Sequence, residues 1–256
     1  MGFTVVVLNL ANCDDDPQWP ARRVLICAQL ARRGADAVLL QEVRYDAQRC
    51  GALDMASELA AALGMQCALA IAQYYDEATL APCDRVTSVW EGLAVLSRRR
   101  PASSAYLDLT KARDSTDQNH RISQRVELGV IKAYNLHLST DAGEAGDNLW
   151  QTLSWLGETG RGWPLCGGDL NAAPSVVSPL LASHGLVDAW AAKNPDALGY
   201  TYPSSAPSER IDYLWIDARL LPQLASIELI LGEPVDGLYA SDHLGICAVF
   251  RDGPLT

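Results

Sequence analysis

Residues 37–43 read Ala-Val-Leu-Leu-Gln-Glu-Val, an apolar run that is interrupted near its end by a Gln-Glu pair. A short apolar run without alternating polar residues predicts a strand that is buried on both faces. A carboxylate at the end of such a strand is costly unless another group compensates its charge. Glu42 is therefore the first candidate functional residue, and the run predicts a sheet that is covered on both sides.

Strand and helix patterns continue on both sides of this run. Apolar or β-branched segments predict strands, and apolar positions three or four residues apart predict helices. Gly34 marks a helix end, and Gly129 marks a tight hairpin turn. We predict strands at 3–10, 37–43, 92–97, 125–128, 130–139, 165–166, 211–216 and 244–250, and helices at 21–31, 53–63 and 147–156. Hairpins mixed with strand–helix alternation favour sheets covered by helices over a purely parallel fold.

The composition favours one compact domain over residues 1–256. Apolar residues make up 49% of the sequence, and no Pro/Gly/Ser-rich stretch separates two halves. The 20 basic and 31 acidic residues give a net charge of −11. Nucleic-acid binders usually carry a basic surface. The charge therefore disfavours a tight polyanion binder, although a local patch or a metal can supply positive charge.

The seven cysteines are odd in number and lack CxxC spacing, which opposes a zinc site or a disulfide framework. Reduced, mostly buried thiols predict a cytoplasmic protein. The apolar start of the chain has neither a basic beginning nor a cleavage site, and no run approaches the roughly 18 residues of a membrane span. We therefore expect a cytoplasmic monomer without membrane insertion.

Polar residues collect at the ends of the predicted strands, where catalytic residues of α/β scaffolds tend to lie. Taken alone, each has a structural explanation: Asn9 as a turn residue, Glu42 as a solvated strand end, His137 as a hydrogen-bonded core histidine. Their succession along one chain favours a shared site. The set comprises Asn9, Glu42, His137, Asp169, Asn171, Asp212, Asp242 and His243.

The motifs around these residues resemble the endonuclease/exonuclease/phosphatase superfamily, which has the DNase I-like fold. They are Val-Leu-Asn-Leu (7–10), Leu-Leu-Gln-Glu-Val (39–43), Gly-Leu-Ala-Val-Leu-Ser-Arg (92–98), Asn-Leu-His-Leu-Ser (135–139), Gly-Asp-Leu-Asn (168–171), Thr-Tyr-Pro-Ser (201–204), Arg-Ile-Asp-Tyr (210–213) and Ser-Asp-His (241–243). The resemblance runs from end to end. It implies an α/β (α+β) fold, a four-layer αββα sandwich of two mixed β-sheets flanked by helices.

The resemblance also implies a metal-dependent phosphoester hydrolase. Glu42 is the expected ligand of Mg²⁺, or of Mn²⁺, helped directly or through water by Asn9 and Asp242, because Mg²⁺ prefers hard oxygen donors. His243 is expected to be oriented by Asp212, whose carboxylate fixes one ring tautomer. The ring then activates water or contacts the phosphate.

The resemblance gives roles to further residues. Asp169 is expected to position the attacking water or to protonate the leaving group. Asn171 and His137 are expected to donate to phosphate oxygens, and His137 is alternatively a leaving-group acid. Arg121 stands where the family has an arginine and fits a phosphate contact or a structural ion pair equally well. Arg98 begins a run of three arginines that either meets an anionic substrate or is solvated.

The leading hypothesis is a phosphodiesterase or phosphatase for a small-molecule or lipid-headgroup substrate. The acidic charge and His137 favour it over a nuclease acting on DNA or RNA, since AP endonucleases tend to carry a tyrosine-containing segment in this region. A catalytically inactive binding module is disfavoured because every expected catalytic position is filled. The three aspartates at 14–16 repel a long polyanion, form an extra metal site, or serve solubility alone.

Overall fold

A computed structural model describes residues 2–13, 18–46, 48, 52–158, 160 and 162–251. Within these ranges the strands are β1 (Phe3–Asn9), β2 (Ala37–Tyr45), β3 (Gln66–Tyr75), β4 (Pro82–Cys83), β5 (Trp90–Ser97), β6 (Ser103–Asp108), β7 (Ile122–Leu128), β8 (Ile131–His137), β9 (Trp163–Asp169), β10 (Leu186–Asp188), β11 (Asp212–Asp217), β12 (Leu224–Ile230) and β13 (Gly245–Phe250). The helices are α1 (Trp19–Arg33), α2 (Met55–Leu63), α3 (Ala142–Glu158), α4 (Pro174–Ser183) and α5 (Ala189–Lys193), with a 3₁₀ turn at Ala218–Gln223.

The strands form two mixed sheets. Sheet A has the order β12-β13-β1-β2-β5-β3-β4, and sheet B has the order β10-β11-β9-β8-β7-β6. β1 and β2 are parallel, as are β8 and β9, whereas the neighbours of these pairs run antiparallel to them. Each sheet therefore has one parallel pair near its middle.

Three apolar layers hold the sheets and helices together. In β1, Val5 and Val7 pack between the sheets with residues such as Leu165 of sheet B. Val6 and Leu8 alternate with them and pack against α1 and α2. The outer face of sheet B packs against α3 and α4 in the same way. The predicted four-layer sandwich of two mixed sheets is confirmed.

Most predicted elements are present with shifted ends. α1 ends at Arg33, where the Gly34 N–H donates to the carbonyls of Leu30 and Ala31, and the hairpin turns at Gly129 as predicted. α3 begins at Ala142, earlier than predicted, because the packing of Ala145 on the core outweighs the low helix propensity of the glycines around it. The patterns did not predict β3, β6, β12 or α4.

The cysteines differ from expectation. Cys166 and Cys247 are buried free thiols, but Cys67 is an exposed one, and Cys13 is disulfide-bonded. The expectation of reduced thiols is corrected at Cys13; among the free thiols described, two are buried, two are half-buried and one is exposed. In the part of the chain that the structure describes, no helix combines the length and apolar character of a membrane span.

Gly168 allows β9 to approach β8 closely. Its φ is +149°, and an added β-carbon would lie 1.9 Å from the carbonyl oxygen of Leu136. We expect Gly168→Ala to lower the free energy of unfolding by about 3 kcal/mol or more, because both the backbone conformation and the close approach exclude a side chain. Urea-induced unfolding measures this loss.

Gly185 provides the control for backbone conformation alone. Its φ is +74°, but nothing lies within 4 Å of an added β-carbon. Gly185→Ala should therefore cost only about 1 to 2 kcal/mol. Equal losses in the two variants would contradict the steric explanation for Gly168.

Candidate active site

The predicted site residues lie at one end of the layer between the two sheets. Side chains alternate along a strand with a period of two, so Asn9 follows Val5 and Val7 on the face of β1 that meets sheet B. On β9, Asp169 lies on the same face as Leu165. The apolar layer thus becomes polar at this end of the strands, where the site begins.

Asp169 lies at the centre of the site. Strand pairing places it beside His137 of β8 and Asp212 of β11. Its Oδ2 accepts a hydrogen bond of 3.0 Å from Asn9 Nδ2 and lies 3.7 Å from His137 Nε2 and 3.8 Å from His243 Nε2. Burial, together with the neighbouring Asp212 carboxylate, raises the pKa of Asp169 to about 7.

Asp212 and His243 form the hydrogen bond that the sequence predicts. His243 Nδ1 lies 2.8 Å from Asp212 Oδ2, and both side chains are buried. Burial alone lowers the pKa of His243, but the charge and hydrogen bond of Asp212, together with the charges of Asp169 and Asp242, outweigh this effect and raise the pKa to about 10. The neighbouring Arg210 does not compete for Asp212, because it binds Asp188 at 2.7 Å. Nε2 is therefore the ring nitrogen of His243 that can contact a ligand in the cavity.

Glu42 reaches the site through a β-bulge. The pairing of β2 with β5 shifts by one residue between Leu40 and Val43, and Glu42 itself has a left-handed backbone conformation with φ of +51°. Its carboxylate accepts hydrogen bonds from Asn9 Nδ2 at 3.0 Å and from the Asn12 N–H at 2.9 Å. The bulge therefore directs this carboxylate away from the helix-facing core and towards Asn9.

A buried amide of sheet B stabilises the bulge. Asn135 Nδ2 donates to the carbonyls of Leu40 and Ala94, each at 3.0 Å. Its Oδ1 accepts a hydrogen bond of 2.5 Å from Gln41 Nε2, and both amide side chains are fully buried. One side chain thus connects β8 to both strands that form the bulge.

His137 is held by a cation. Arg121 Nη1 lies 3.0 Å from His137 Nε2 and 3.1 Å from Nδ1, and Arg121 Nε donates to Asp117 at 2.8 Å. Burial lowers the pKa of His137 well below its ordinary value, and the charges of Arg121 and His243 lower it further. The predicted ion-pair role of Arg121 is present, and its side chain also lines the cavity.

These side chains surround an open cavity of about 530 Å³. Its lining includes residues that the sequence did not suggest, above all Glu91 at the beginning of β5. Burial and the nearby Glu42 raise the pKa of Glu91 to about 7, and Asn12 Nδ2 donates to Glu91 at 3.2 Å. A polar residue directly before the apolar run 92–97 was the only sequence signal for it. Tyr202 also lines the cavity, with its ring 4.8 Å from that of His243.

The remaining predicted residues fall into three groups. Asp242 and Asn171 line the cavity, with Asn171 Nδ2 donating to the Leu138 carbonyl at 3.0 Å. Arg98 lies away from the site. It follows the end of β5, whereas Glu91 lies at the beginning of that strand, and its guanidinium is 3.9 Å from Asp36. The prediction that Arg98 contacts the substrate is therefore corrected. The three aspartates at 14–16 lie outside the described residues.

Comparison with protein families identifies the chain. The model of the endonuclease/exonuclease/phosphatase family matches residues 6–243. The chain belongs to this family. Members of the family are phosphoester hydrolases and generally use divalent metal ions. No curated protein matches the chain.

Solved structures share the family's fold. An endonuclease/exonuclease/phosphatase from Beutenbergia cavernae is 20% identical, with a TM-score of 0.75 over 98% of this chain and 71% of its own. A mannosyl-6-phosphatase from Bacteroides thetaiotaomicron is 16% identical, with a TM-score of 0.70 over 96% and 98%. D. rerio TDP2 in complex with a single-strand DNA product is 18% identical, with a TM-score of 0.70 over 98% and 99%. At these identities the likeness establishes the fold.

A group of three buried side chains has the spacing of a metal site. Asp169, Asp212 and His243 each offer a ligand atom, and these atoms lie within 4.8 Å of one another. The family's use of metals makes this group one possible site. A second candidate metal site consists of the Glu42 and Asp242 carboxylates, which line the same cavity.

The hydrogen bonds of Asn135 lead to a prediction about the bulge that positions Glu42. Asn135→Leu removes the partner of two main-chain carbonyls and of Gln41, so we expect a loss of about 2 to 4 kcal/mol in unfolding free energy. Because the bulge then relaxes, the Mn²⁺ concentration for half-maximal activity should rise about tenfold. Calorimetry and a Mn²⁺ titration of activity measure the two effects.

Thr152→Val is the matched control. Thr152 is fully buried and donates to the Asn148 carbonyl within α3 at 3.0 Å, away from the bulge. This variant should lose stability without a change in the Mn²⁺ titration. If both variants shift the titration alike, Asn135 has no specific effect on Glu42.

Proposed function

We propose that this chain is a divalent-metal-dependent phosphoester hydrolase that acts on a small-molecule or lipid-headgroup substrate. The observation that carries the proposal is the crowding of acidic side chains beside a buried Asp–His pair in one open cavity. Among the described residues, the acidic lining consists of Glu42, Glu91, Asp169, Glu209 and Asp242, and the cationic lining of Arg121 and the carboxylate-bound His243. An anionic phosphoester is repelled by this surplus of carboxylates unless a bound cation neutralises them.

The donor set fits Mg²⁺ at Glu42 and Asp242. Both offer carboxylate oxygens to the cavity, and the Asp242 side chain is 55% exposed, which leaves room for the several waters that Mg²⁺ retains. Asn9 is the third proposed ligand, although its Oδ1 already accepts from the Ala11 N–H at 3.0 Å. The Asp169, Asp212 and His243 group is less suitable, since His243 Nδ1 is committed to Asp212 at 2.8 Å. When bound, Mg²⁺ supplies positive charge to the phosphate and the leaving oxygen.

The side chains of the chain itself divide the remaining work. Asp212 holds the His243 ring so that Nε2 faces the cavity, where it donates to a phosphate oxygen. Asp169, between the two histidines, positions the attacking water. His137 and Asn171 donate to the phosphate, and Arg121 holds the His137 ring through its contacts with the ring nitrogens while compensating charge.

The charge distribution favours a small substrate over nucleic acid. The net charge is −11, and the described lining of the cavity presents no lysine and a single arginine, which is bound to Asp117. A nuclease remains the second candidate, because the similar TDP2 structure holds a DNA product. The similarity to a mannosyl-6-phosphatase supports the first candidate, a hydrolase with a small-molecule substrate. Hydrolysis of bis-p-nitrophenyl phosphate, its monoester and plasmid DNA, each with Mg²⁺ or EDTA, tests the choice.

The proposal also covers the oligomeric state and the cellular compartment of the protein. We propose a single-domain monomer that acts in the cytoplasm. The five free thiols among the described residues fit a reducing compartment. The disulfide of Cys13 counts against it.

Replacing Glu42 tests the metal assignment. Glu42→Gln keeps the shape of the side chain but removes its negative charge, so activity should fall at least about a hundredfold and the Mg²⁺ requirement should rise. Isothermal titration with Mg²⁺ measures the affinity without reference to activity. Glu209→Gln is the control, because Glu209 is an exposed carboxylate on the same cavity without a proposed ligand role. An unchanged Mg²⁺ affinity in Glu42→Gln removes Glu42 from the site.

A double-mutant cycle tests the Asp212–His243 pair. Asp212→Asn should reduce kcat roughly a hundredfold, since it loses the charge that holds the ring. His243→Ala should cost at least as much, and the double variant should be little worse than the worse single one, because the two groups act as a unit. Multiplicative losses mean that they act separately. A lower melting temperature with unchanged turnover per folded molecule indicates a purely structural pair.

A further inference from the structure

A second cavity lies beside the active-site cavity and shares a wall with it. Its volume is about 510 Å³, close to the 530 Å³ of the first. Asn12, Glu42 and Asp242 line both cavities. A phosphate bound at this shared wall therefore has open space on two sides. A phosphodiester has two organic substituents, whereas a phosphomonoester has one.

The second cavity has apolar surface and few free hydrogen-bond donors. Pro203, Leu238 and Tyr239 contribute its apolar part. The Ser204 hydroxyl donates to the Ser241 carbonyl, and the Ser241 hydroxyl donates to the Asn9 carbonyl, each at 2.7 Å. These serines are consequently occupied within the protein, and an uncharged group fits the space better than a strongly polar one.

Positive charge is not offered to a ligand by the described part of this lining. Its one cationic residue is Arg22, which is buried. Arg22 donates to the carbonyls of Leu10, Ala11, Asn12 and Ala240, so its guanidinium is directed at the main chain. A second phosphate in this cavity would meet no available cationic side chain among the described residues and would face the Asp242 carboxylate.

The apolar wall is formed before any ligand arrives. Leu238 and Val235 exchange two main-chain hydrogen bonds of 2.9 Å, which close a turn through Asp236 and Gly237, both with positive φ. This turn fixes the residues that precede Asp242 and His243. The wall is therefore connected directly to two of the proposed active-site residues.

We infer that the second cavity binds one of the two substituents of a phosphodiester, and that this substituent is an uncharged, partly apolar or aromatic group. The inference rests on the proposed function, because it places the phosphate at Glu42 and Asp242. It narrows the substrate class to a diester with at least one neutral organic substituent. A polynucleotide is a poorer fit, because its next phosphate would enter a space whose described lining offers no available cationic side chain.

Binding of stable diesters tests the inference independently of hydrolysis. Isothermal titration in Mg²⁺ should show that methyl phenyl phosphate binds about tenfold more tightly than dimethyl phosphate, because the ring buries apolar surface in the second cavity. Ser205 is exposed and lines the second cavity, so Ser205→Trp should fill it and abolish the advantage. Leu238→Ala should reduce the advantage about threefold. Both variants should keep the wild-type affinity for dimethyl phosphate.

Ser104→Trp is the matched control, because Ser104 is exposed on the edge strand β6 and lines neither cavity. It should retain the tenfold advantage. An advantage that is absent from the wild type, or that survives in both Ser205→Trp and Leu238→Ala, overturns the inference. Tighter binding of a short DNA oligonucleotide than of methyl phenyl phosphate overturns the substrate class. A lack of Mg²⁺-dependent hydrolysis, with the binding pattern intact, contradicts only the proposed function.

Discussion

The extra residue in β2 is the constraint on which the rest of the site depends. Val38 and Leu40 face the helices, so strict alternation would place Glu42 in the same apolar layer. Burying a lone carboxylate there costs several kcal/mol, whereas a left-handed backbone residue costs about 1 to 2 kcal/mol. The bulge is therefore the less costly arrangement. It puts Val43 into the apolar layer and releases the carboxylate towards Asn9 and Asn12.

Both sheets take part in this arrangement. The bulge interrupts the β2–β5 pairing, and Asn135 of β8 satisfies carbonyls on both strands. Asn9 of sheet A in turn bonds Asp169 of sheet B. The acidic residues thus depend on the relative position of two sheets rather than on a single loop. Amide side chains suit this task because each one donates and accepts at once.

The sequence was informative where a signal was local. Apolar runs predicted most strands, and the motif resemblance predicted the Asp212–His243 hydrogen bond. Arg98 was misplaced because an apolar run does not reveal its direction: β5 is antiparallel to β2, so the beginning of β5, and not its end, meets Glu42. Glu91 was missed for the same reason. The main-chain N–H of Asn12 bonds Glu42, and any residue type provides such a donor, so no sequence pattern could indicate this contact.

The position of β13 has a consequence for protein synthesis. This strand lies between β12 and β1, so the partner of β1 on that side is made more than 230 residues after it. While the chain is still on the ribosome, β1 has an open, apolar edge of the kind that invites aggregation. Asp242 and His243 immediately precede β13. Until this last part of the described chain has been made, an emerging chain therefore lacks both the β13 partner of β1 and two residues of the proposed active site.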